Sequence, residues 1–407
     1  MLFPRMVLKA IKPFMKSHEV IVIQGARQVG KTTVMRLLMD KLSPGSFFYM
    51  DLEEPRFLDL CEQGYLSVIE YLRLTGVLTD SPFYLFIDEI QYLSNPSSFL
   101  KLMHDHQQSI KLIVSGSSSF DIRKKFKDSL VGRTINFELF PLDFEEFTWF
   151  KRKKYELAKR VTNRAAIDEL KTLFMEYSLY GGYPAVVLSK TIAEKEVRLQ
   201  QIVDTYIGKD IRHLAEIRAI DKFNKLLRIL ASQSGSLLNV SELANIVSLS
   251  RKTIDDYLLI LENTYVIRML RPFSGNLRSE LFKTPKIFFY DSGIMSILKQ
   301  LQLPKVIDGE IMETVIFSEL MKNKKNFSIN FWRTKDKKEI DFIIDTGVNT
   351  IPIEVKINAH RLNNHALSHF KEKYNVHELY CIALEGEISR KQKQIQLISP
   401  WDIHSIL

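Results

Sequence analysis

Residues Val20-Ile21-Val22-Ile23, Gly25-Ala26-Arg27-Gln28-Val29-Gly30-Lys31-Thr32 and Thr33-Val34-Met35-Arg36-Leu37-Leu38-Met39 follow one another as a β-branched run, a glycine-bounded loop and an amphipathic segment. The middle stretch fits the pattern G-x-x-x-x-G-K-[ST]. Its flanks predict a buried parallel strand before it and a helix after it, with apolar residues at i, i+3 and i+4. Gly25 and Gly30 let the backbone curl around a β-phosphate with its N–H groups inward. The helix N-terminus that follows carries partial positive charge and favours an anion. Lys31 reaches the β- and γ-phosphates, and the Thr32 hydroxyl ligates Mg²⁺. The whole run Gly25, Ala26, Arg27, Gln28, Val29, Gly30, Lys31, Thr32 and Thr33 is therefore the expected nucleotide cradle.

A second apolar run, Phe83-Tyr84-Leu85-Phe86-Ile87, ends in Asp88-Glu89. In a parallel α/β sheet the C-terminal ends of the strands are where ligands bind, beside the loop after the first strand. Asp88 is expected to hold Mg²⁺ through water, and Glu89 to orient or deprotonate the attacking water. A third run, Lys111-Leu112-Ile113-Val114, leads into Ser115-Gly116-Ser117-Ser118-Ser119. Ser117 is the candidate for contact with the γ-phosphate or the lytic water, and a capping turn accounts for the serines equally well. In Leu130-Val131-Gly132-Arg133 the arginine fits either of two roles. It could stabilise charge on the transferring phosphate, in cis or from a neighbouring subunit, or it could form a surface ion pair.

The 407 residues are enough for two to three domains, and 45% apolar with 26% charged residues is ordinary globular composition. A net charge of +9 favours an anionic macromolecular partner, although nucleotide binding or solubility would also account for it. Cys61 and Cys381 lie far apart in the chain, which excludes a disulfide framework or a thiolate metal cluster and places the protein in a reducing compartment. Lys9, Lys12 and Lys16 interrupt any apolar signal segment, and the apolar runs are too short to span a bilayer. A cytoplasmic protein without a membrane partner is the expectation.

The pattern divides the chain into residues 1–150, 151–275 and 276–407. The first part alternates strand and helix signals, and the charged stretch Lys151 to Ala166 reads as the seam, with Pro141-Leu142 as an alternative start of the exit. Residues 167–235 read as helices broken at Gly181-Gly182-Tyr183-Pro184. From Leu237 to Pro272 the spacing predicts a winged helix. Val240-Ser241 would cap one helix and Ser250 the next, with Ile254, Tyr257, Leu258 and Leu261 inward and Tyr265 to Leu270 as a wing strand. Arg251 and Lys252 suit phosphates, whereas Asp255 and Asp256 oppose them. Such modules also serve as structural lids or protein contacts, so both readings stay open.

In the last part, Glu339-Ile340-Asp341-Phe342-Ile343-Ile344, the turn Asp345 to Asn349, and Thr350-Ile351-Pro352-Ile353-Glu354-Val355-Lys356 read as a hairpin. Alternation buries Ile340, Phe342 and Ile344 together with Ile351, Ile353 and Val355, leaving Asp341, Glu354 and Lys356 together on the other face. Two carboxylates and a lysine so placed can hold a hard divalent cation and a hydrolytic water against a phosphodiester. Glu313, in the helical stretch Glu310 to Met321, would add a third carboxylate. His360, His365 and His369 have helical spacing and read as surface residues.

Taken together, the phosphate loop, Ile87-Asp88-Glu89-Ile90-Gln91, Leu130-Val131-Gly132-Arg133 with Pro141-Leu142, and Tyr180-Gly181-Gly182-Tyr183-Pro184 resemble a prokaryotic AAA-type ATPase family. Its members join an N-terminal ATPase to a C-terminal domain of uncharacterised function. Lys209-Asp210-Ile211, Lys286 to Gly293 and Trp332-Arg333 with Glu339-Ile340-Asp341 resemble that second domain. The resemblance implies ATP and Mg²⁺ as cofactors and a restriction-endonuclease-like, PD-(D/E)XK tail, in which Asp341, Glu354 and Lys356 stand intact. It leaves the sensor arginine, Arg123 or Arg133, unassigned. The expected architecture is α/β: an AAA-type parallel sheet, a helical and winged-helix region, and a nuclease-like α/β domain. The expected function is an ATPase, with a homo-oligomer left open, that couples nucleotide state to a nucleic-acid-binding and nuclease-like tail, with DNA favoured over RNA. The alternatives are an ATP-gated regulator or a scaffold with an inert tail.

Overall fold

The computed structural model describes residues 3–78, 82–116, 130–157, 160–205, 219–273, 284–300, 302–324, 326–386 and 394–407. The chain folds into two compact units, Met1–Phe140 with Asn263–Tyr265, and Pro141–Glu262 with Val266–Leu407. The division falls ten residues before the seam read from sequence, for a packing reason. Phe144 and Phe147 lie against Tyr177 at 5.6 and 5.2 Å between ring centroids, so this segment belongs to the second core.

The first unit is a five-stranded parallel sheet of β1 (Val20–Gln24), β2 (Phe47–Asp51), β3 (Phe83–Asp88), β4 (Ile110–Gly116) and β5 (Thr134–Glu138), in the order β2-β3-β4-β1-β5. Helices α1 (Val7–Ile11), α2 (Lys31–Met39), α3 (Pro55–Glu62), α4 (Tyr65–Leu74) and α5 (Pro96–His106) complete it. Strands β1, β3 and β4 are buried along their whole length. That is why they read as continuous apolar runs rather than alternating ones. Val20, Val22, Met50, Leu85, Ile87, Leu112 and Val114 form one core. Because β4 pairs with both β1 and β3, it brings the ends of Gln24 and Asp88 to the same edge.

The second unit begins with α6 (Phe144–Phe150), α7 (Arg164–Tyr180), α8 (Pro184–Val187) and α9 (Ile192–Ile202). The predicted break after Tyr180 is present. Gly181 has φ +75°, and a Cβ there would stand 2.2 Å from Asp291 Oδ1. Gly182 N–H donates to Asp291 Oδ2 at 2.7 Å, and Ile294 N–H donates to Oδ1 at 3.0 Å. The glycine turn thus wraps one buried carboxylate, whose pKa burial raises.

Next come α10 (Ile220–Ser232), α11 (Val240–Val247), α12 (Arg251–Asn263) and the antiparallel pair β6 (Ile267–Leu270) and β7 (Lys286–Phe289), with a bridge from Leu237 to Lys286. Three helices are thus followed by an antiparallel strand pair, the order expected from the sequence for this region. Ser250 caps α12 as expected, its Oγ accepting from Thr253 N–H at 3.1 Å. The cap of α11 is Asn239 rather than Val240-Ser241, because the Asn239 carboxamide accepts from Glu242 N–H at 3.2 Å.

After α13 (Ser292–Gln300) and α14 (Gly309–Lys322), the chain forms β8 (Ser328–Arg333), β9 (Glu339–Asp345), β10 (Thr350–Asn358), α15 (His365–Tyr374), β11 (Leu379–Glu385) and β12 (Ile395–Ile398). The sheet order is β12-β11-β10-β9-β8. Strands β8 to β10 form an antiparallel meander, and β11 and β12 run parallel to β10. Among the described residues no helix is long and apolar enough to cross a membrane. Both cysteines are free and buried.

Candidate functional site

The loop Gly25 to Gly30 leaves β1 and enters α2, with Gly30 at φ +100° as its N-cap. A Cβ on Gly25 would fall 2.0 Å from the Leu139 carbonyl oxygen, so only glycine lets the loop leave the strand here. Lys31 is 5% exposed and turns back into the loop. Its ammonium donates to the carbonyls of Gly25 at 3.3 Å and Ala26 at 3.2 Å and lies 3.6 Å from Glu89 Oε1. Burial lowers its pKa, opposed by Glu89 and then Asp88. A buried cation turned into a loop of backbone dipoles suits an anionic ligand.

Asp88 is the hub of the opposite wall. Its Oδ2 accepts from the hydroxyls of Thr32 at 2.6 Å and Tyr49 at 2.8 Å, and its Oδ1 accepts from Ser115. Burial and then the Asp88 charge hold the Tyr49 phenol well above its usual pKa. Asp51, paired with Asp88 across β2 and β3, is also raised, mainly by burial. Hydroxyls and carboxylates gathered at one sheet end form the oxygen-rich donor set that a hard divalent cation takes, so Thr32 and Asp88 fit Mg²⁺. Glu89 adopts the left-handed region at φ +56°; its N–H donates to Ser115 Oγ at 3.1 Å, and Gln91 Nε2 donates to its carboxylate. A residue held in this sparsely populated conformation points a carboxylate where a relaxed strand end would not.

Two sequence candidates fall elsewhere. Ser117 and Arg123 lie outside the described residues. Of the two roles read for Arg133, the ion pair is the one present. β5 runs parallel to β1 with Thr134 opposite Val20, so Arg133 sits at the N-terminal edge, about 20 Å of strand away from the loop. There its guanidinium grips Asp105 at 2.8 and 3.2 Å. Two contributors went unread in the sequence, Tyr49 and Arg5, and of the serine cluster Ser115 is the member that meets Asp88. Arg5 donates to the carbonyls of Val29 at 2.6 Å and Phe140 at 2.8 Å and so steadies the loop from behind.

In the second unit the predicted hairpin is β9 and β10. The register pairs Phe342 with Ile353, and one step further brings Asp341 opposite Glu354. Lys356 Nζ lies 2.7 Å from Glu354 Oε2 and 3.4 Å from Asp341 Oδ2, while Val355 N–H donates to Asp341 at 2.7 Å. The expected trio therefore converges, but not on an open face. Asp341 is 7% and Glu354 5% exposed, because Ile340, Phe342, Ile343 and Ile344 are all buried and both sides of the strand are covered. Burial, then the Asp341 charge, pushes Glu354 and Glu313 up to about 8. Lys356 is held above its usual range by the same carboxylates against the opposing effect of burial.

The set Glu313, Asp341 and Glu354 was expected to hold a metal. Among the described residues no three His, Cys, Asp or Glu side chains are grouped to hold a metal ion. The Lys356 ammonium meets both Asp341 and Glu354, and the charge of Asp341 reaches Glu313. The neighbouring ion pairs were also unread. Lys286, 3% exposed, meets Glu339 at 2.5 Å, and Glu339 meets Arg333 at 2.9 Å.

Residues 17–148 match the sequence family described as AAA domain. Residues 171–305 and 308–403 match two families described as domains of unknown function (DUF8612 and DUF4143). The first unit is thus similar to P-loop AAA-type ATPases. Relatives include an uncharacterised protein of Methanocaldococcus jannaschii, 27% identical over 80% of this chain and 72% of that protein. Another, of Haemophilus influenzae, is 25% identical over 90% of each. Similar solved structures include the Aeropyrum pernix ORC2 protein in its ADP form, with TM-score 0.34, 13% identity, and 65% of this chain and 85% of that chain covered.

Proposed function

We propose that the protein binds and hydrolyses ATP with Mg²⁺ and couples its nucleotide state to a nucleic-acid-binding, nuclease-like C-terminal unit. The observation that carries the reading is the meeting of Lys31, Thr32, Asp88 and Glu89 at one end of one sheet. Lys31 and the loop N–H groups would hold the β- and γ-phosphates, while Thr32 and Asp88 would hold the cation, which when bound neutralises charge on phosphate oxygens. Glu89 would take the proton of the attacking water, kept in place by Gln91 and Ser115.

For the tail, Asp341 and Glu354 supply a carboxylate pair that fits a divalent cation, and Lys356 supplies a donor for the charge that develops on a phosphodiester. The succession of α14, the meander β8-β9-β10, α15 and β11 supports the nuclease-like reading. A second reading rests on the same lysine: because Lys356 already neutralises the pair, the tail would be an inert fold and the chain an ATP-gated regulator or scaffold.

Mg²⁺- and Mn²⁺-dependent ATPase and DNA-nicking assays on wild type, Lys31→Ala and Asp341→Asn test the proposal. The expected pattern is loss of ATP turnover in Lys31→Ala alone and loss of nicking in Asp341→Asn with turnover intact. Turnover that survives Lys31→Ala overturns the ATPase reading. A wild type that turns over ATP without nicking under Mn²⁺ selects the inert-tail reading.

A further inference from the structure

An aromatic cleft of about 480 Å³ opens at the end of β8, within the second unit, and the proposed function does not use it. That volume lies within the roughly 300–1,000 Å³ range of small-ligand sites. Its walls are Phe273, Phe331, Trp332 and Tyr374, and its rim carries Arg333, Lys335 and Lys373.

The rings are rigidly set. Tyr374 meets Phe273 at 5.3 Å and 70°, and Trp332 Nε1 donates to the Tyr374 hydroxyl at 3.4 Å. Phe331 and Trp332 are buried, while Phe273 and Tyr374 are half-buried and present ring surface to the opening. Lys335 and Lys373 are exposed, and the Lys373 ammonium stands 5.2 Å from the centre of the Tyr374 ring. A flat aromatic ligand that also carries negative charge satisfies both features, since every nucleobase has a face to stack and every nucleotide a phosphate.

The cleft is also tied to the carboxylate pair. Lys286 lies 5.5 Å over the Phe331 ring and pairs with Glu339, which pairs with Arg333 of the cleft wall. Glu339 precedes Asp341 by two residues on β9, a step of about 7 Å, close to one nucleotide of extended strand.

We infer that this cleft takes an unpaired nucleobase of a single-stranded nucleic acid, with Lys335 and Lys373 on the flanking phosphates. The inference rests on the nucleic-acid reading of the same unit and names the form of the substrate. Stacking accepts every base, so binding is tolerant of sequence, and a paired base cannot enter.

The test uses the full chain and a 2-aminopurine-labelled single-stranded oligonucleotide, with duplex of the same sequence and heparin as competitors. Expected are quenching of the 2-aminopurine on binding, loss of that quenching in Tyr374→Ala, and about tenfold weaker binding in that variant. Lys335→Ala with Lys373→Ala, both surface changes that spare the fold, should lower the slope of log affinity against log salt by about 1.4. Single-strand binding that is unquenched, or whose quenching and affinity survive both variants, overturns the cleft while leaving nucleic-acid binding standing. Absence of binding to every nucleic acid overturns both.

Discussion

At the residue scale, the nucleotide site separates two kinds of charge. Lys31 is the buried point charge that compensates two phosphates, so Lys31→Ala should abolish ATP binding in calorimetry. Glu89 touches the loop only through Lys31 at 3.6 Å, so Glu89→Gln should keep binding and lose turnover by 10²-fold or more, about what removal of a general base costs. ATP bound as tightly by Lys31→Ala as by wild type would refute the assignment of the loop. Both residues were legible in the sequence because each lies inside a contiguous motif whose spacing is itself the chemistry. Tyr49 was not, since only the parallel register of β2 and β3 brings it to Asp88, and the register of β3 and β4 picks Ser115 out of the serine cluster. The choice between the two roles of Arg133 was closed to the sequence for a related reason. Which end of a strand a residue occupies depends on the direction of its partner, and β5 starts where β1 starts.

At the scale of elements, the Ser250 cap and the glycine turn were legible, whereas the Asn239 cap and burial were not. Ser250 and the Gly181-Gly182 break follow from backbone chemistry alone. The covering of the Asp341 face depends on what packs over the strand from distant sequence, and alternation cannot report that. The capping box of α6 gives a pH prediction. Asp143 Oδ1 accepts from Glu146 N–H at 2.8 Å, and Glu146, Glu319 and Lys322 face it in the same buried pocket. Burial, then the charges of Glu146 and Glu319, raises the Asp143 pKa well above 3.8. In the window above 3.8 and below that raised value, the folded chain holds a proton that the unfolded chain has released. The Asp143 contribution to stability is therefore greatest at the acid end and falls as pH rises through the window, by up to about 1.4 kcal/mol per pH unit. Asp143→Asn keeps a cap acceptor and removes the titration. Urea unfolding from about pH 4 to 7 should show a shallower decline for the variant, and parallel curves would show that Asp143 does not titrate in this range.

Over the whole molecule, the nucleotide cradle and the carboxylate pair belong to different compact units, so each can be disabled without unfolding the other. The net charge of +9 was legible from composition, but where it acts was not. The α12 helix offers a place to look, because Arg251 and Lys252 on its first turn and Asp255 and Asp256 on its second are all exposed. If this turn meets duplex phosphates, log affinity falls linearly with log salt, by about 0.9 for each phosphate neutralised. Arg251→Ala with Lys252→Ala should then lower that slope by about 1.8, whereas Asp255→Asn with Asp256→Asn should tighten binding by removing like charge from the same anion. All four positions are at the surface, so the variants should fold as wild type within about 0.5 kcal/mol. Opposite shifts in the two pairs, measured by fluorescence anisotropy at low and physiological salt, identify α12 as the duplex contact. Equal affinity in all three proteins assigns the winged helix a structural role and leaves the positive charge to act elsewhere on the chain.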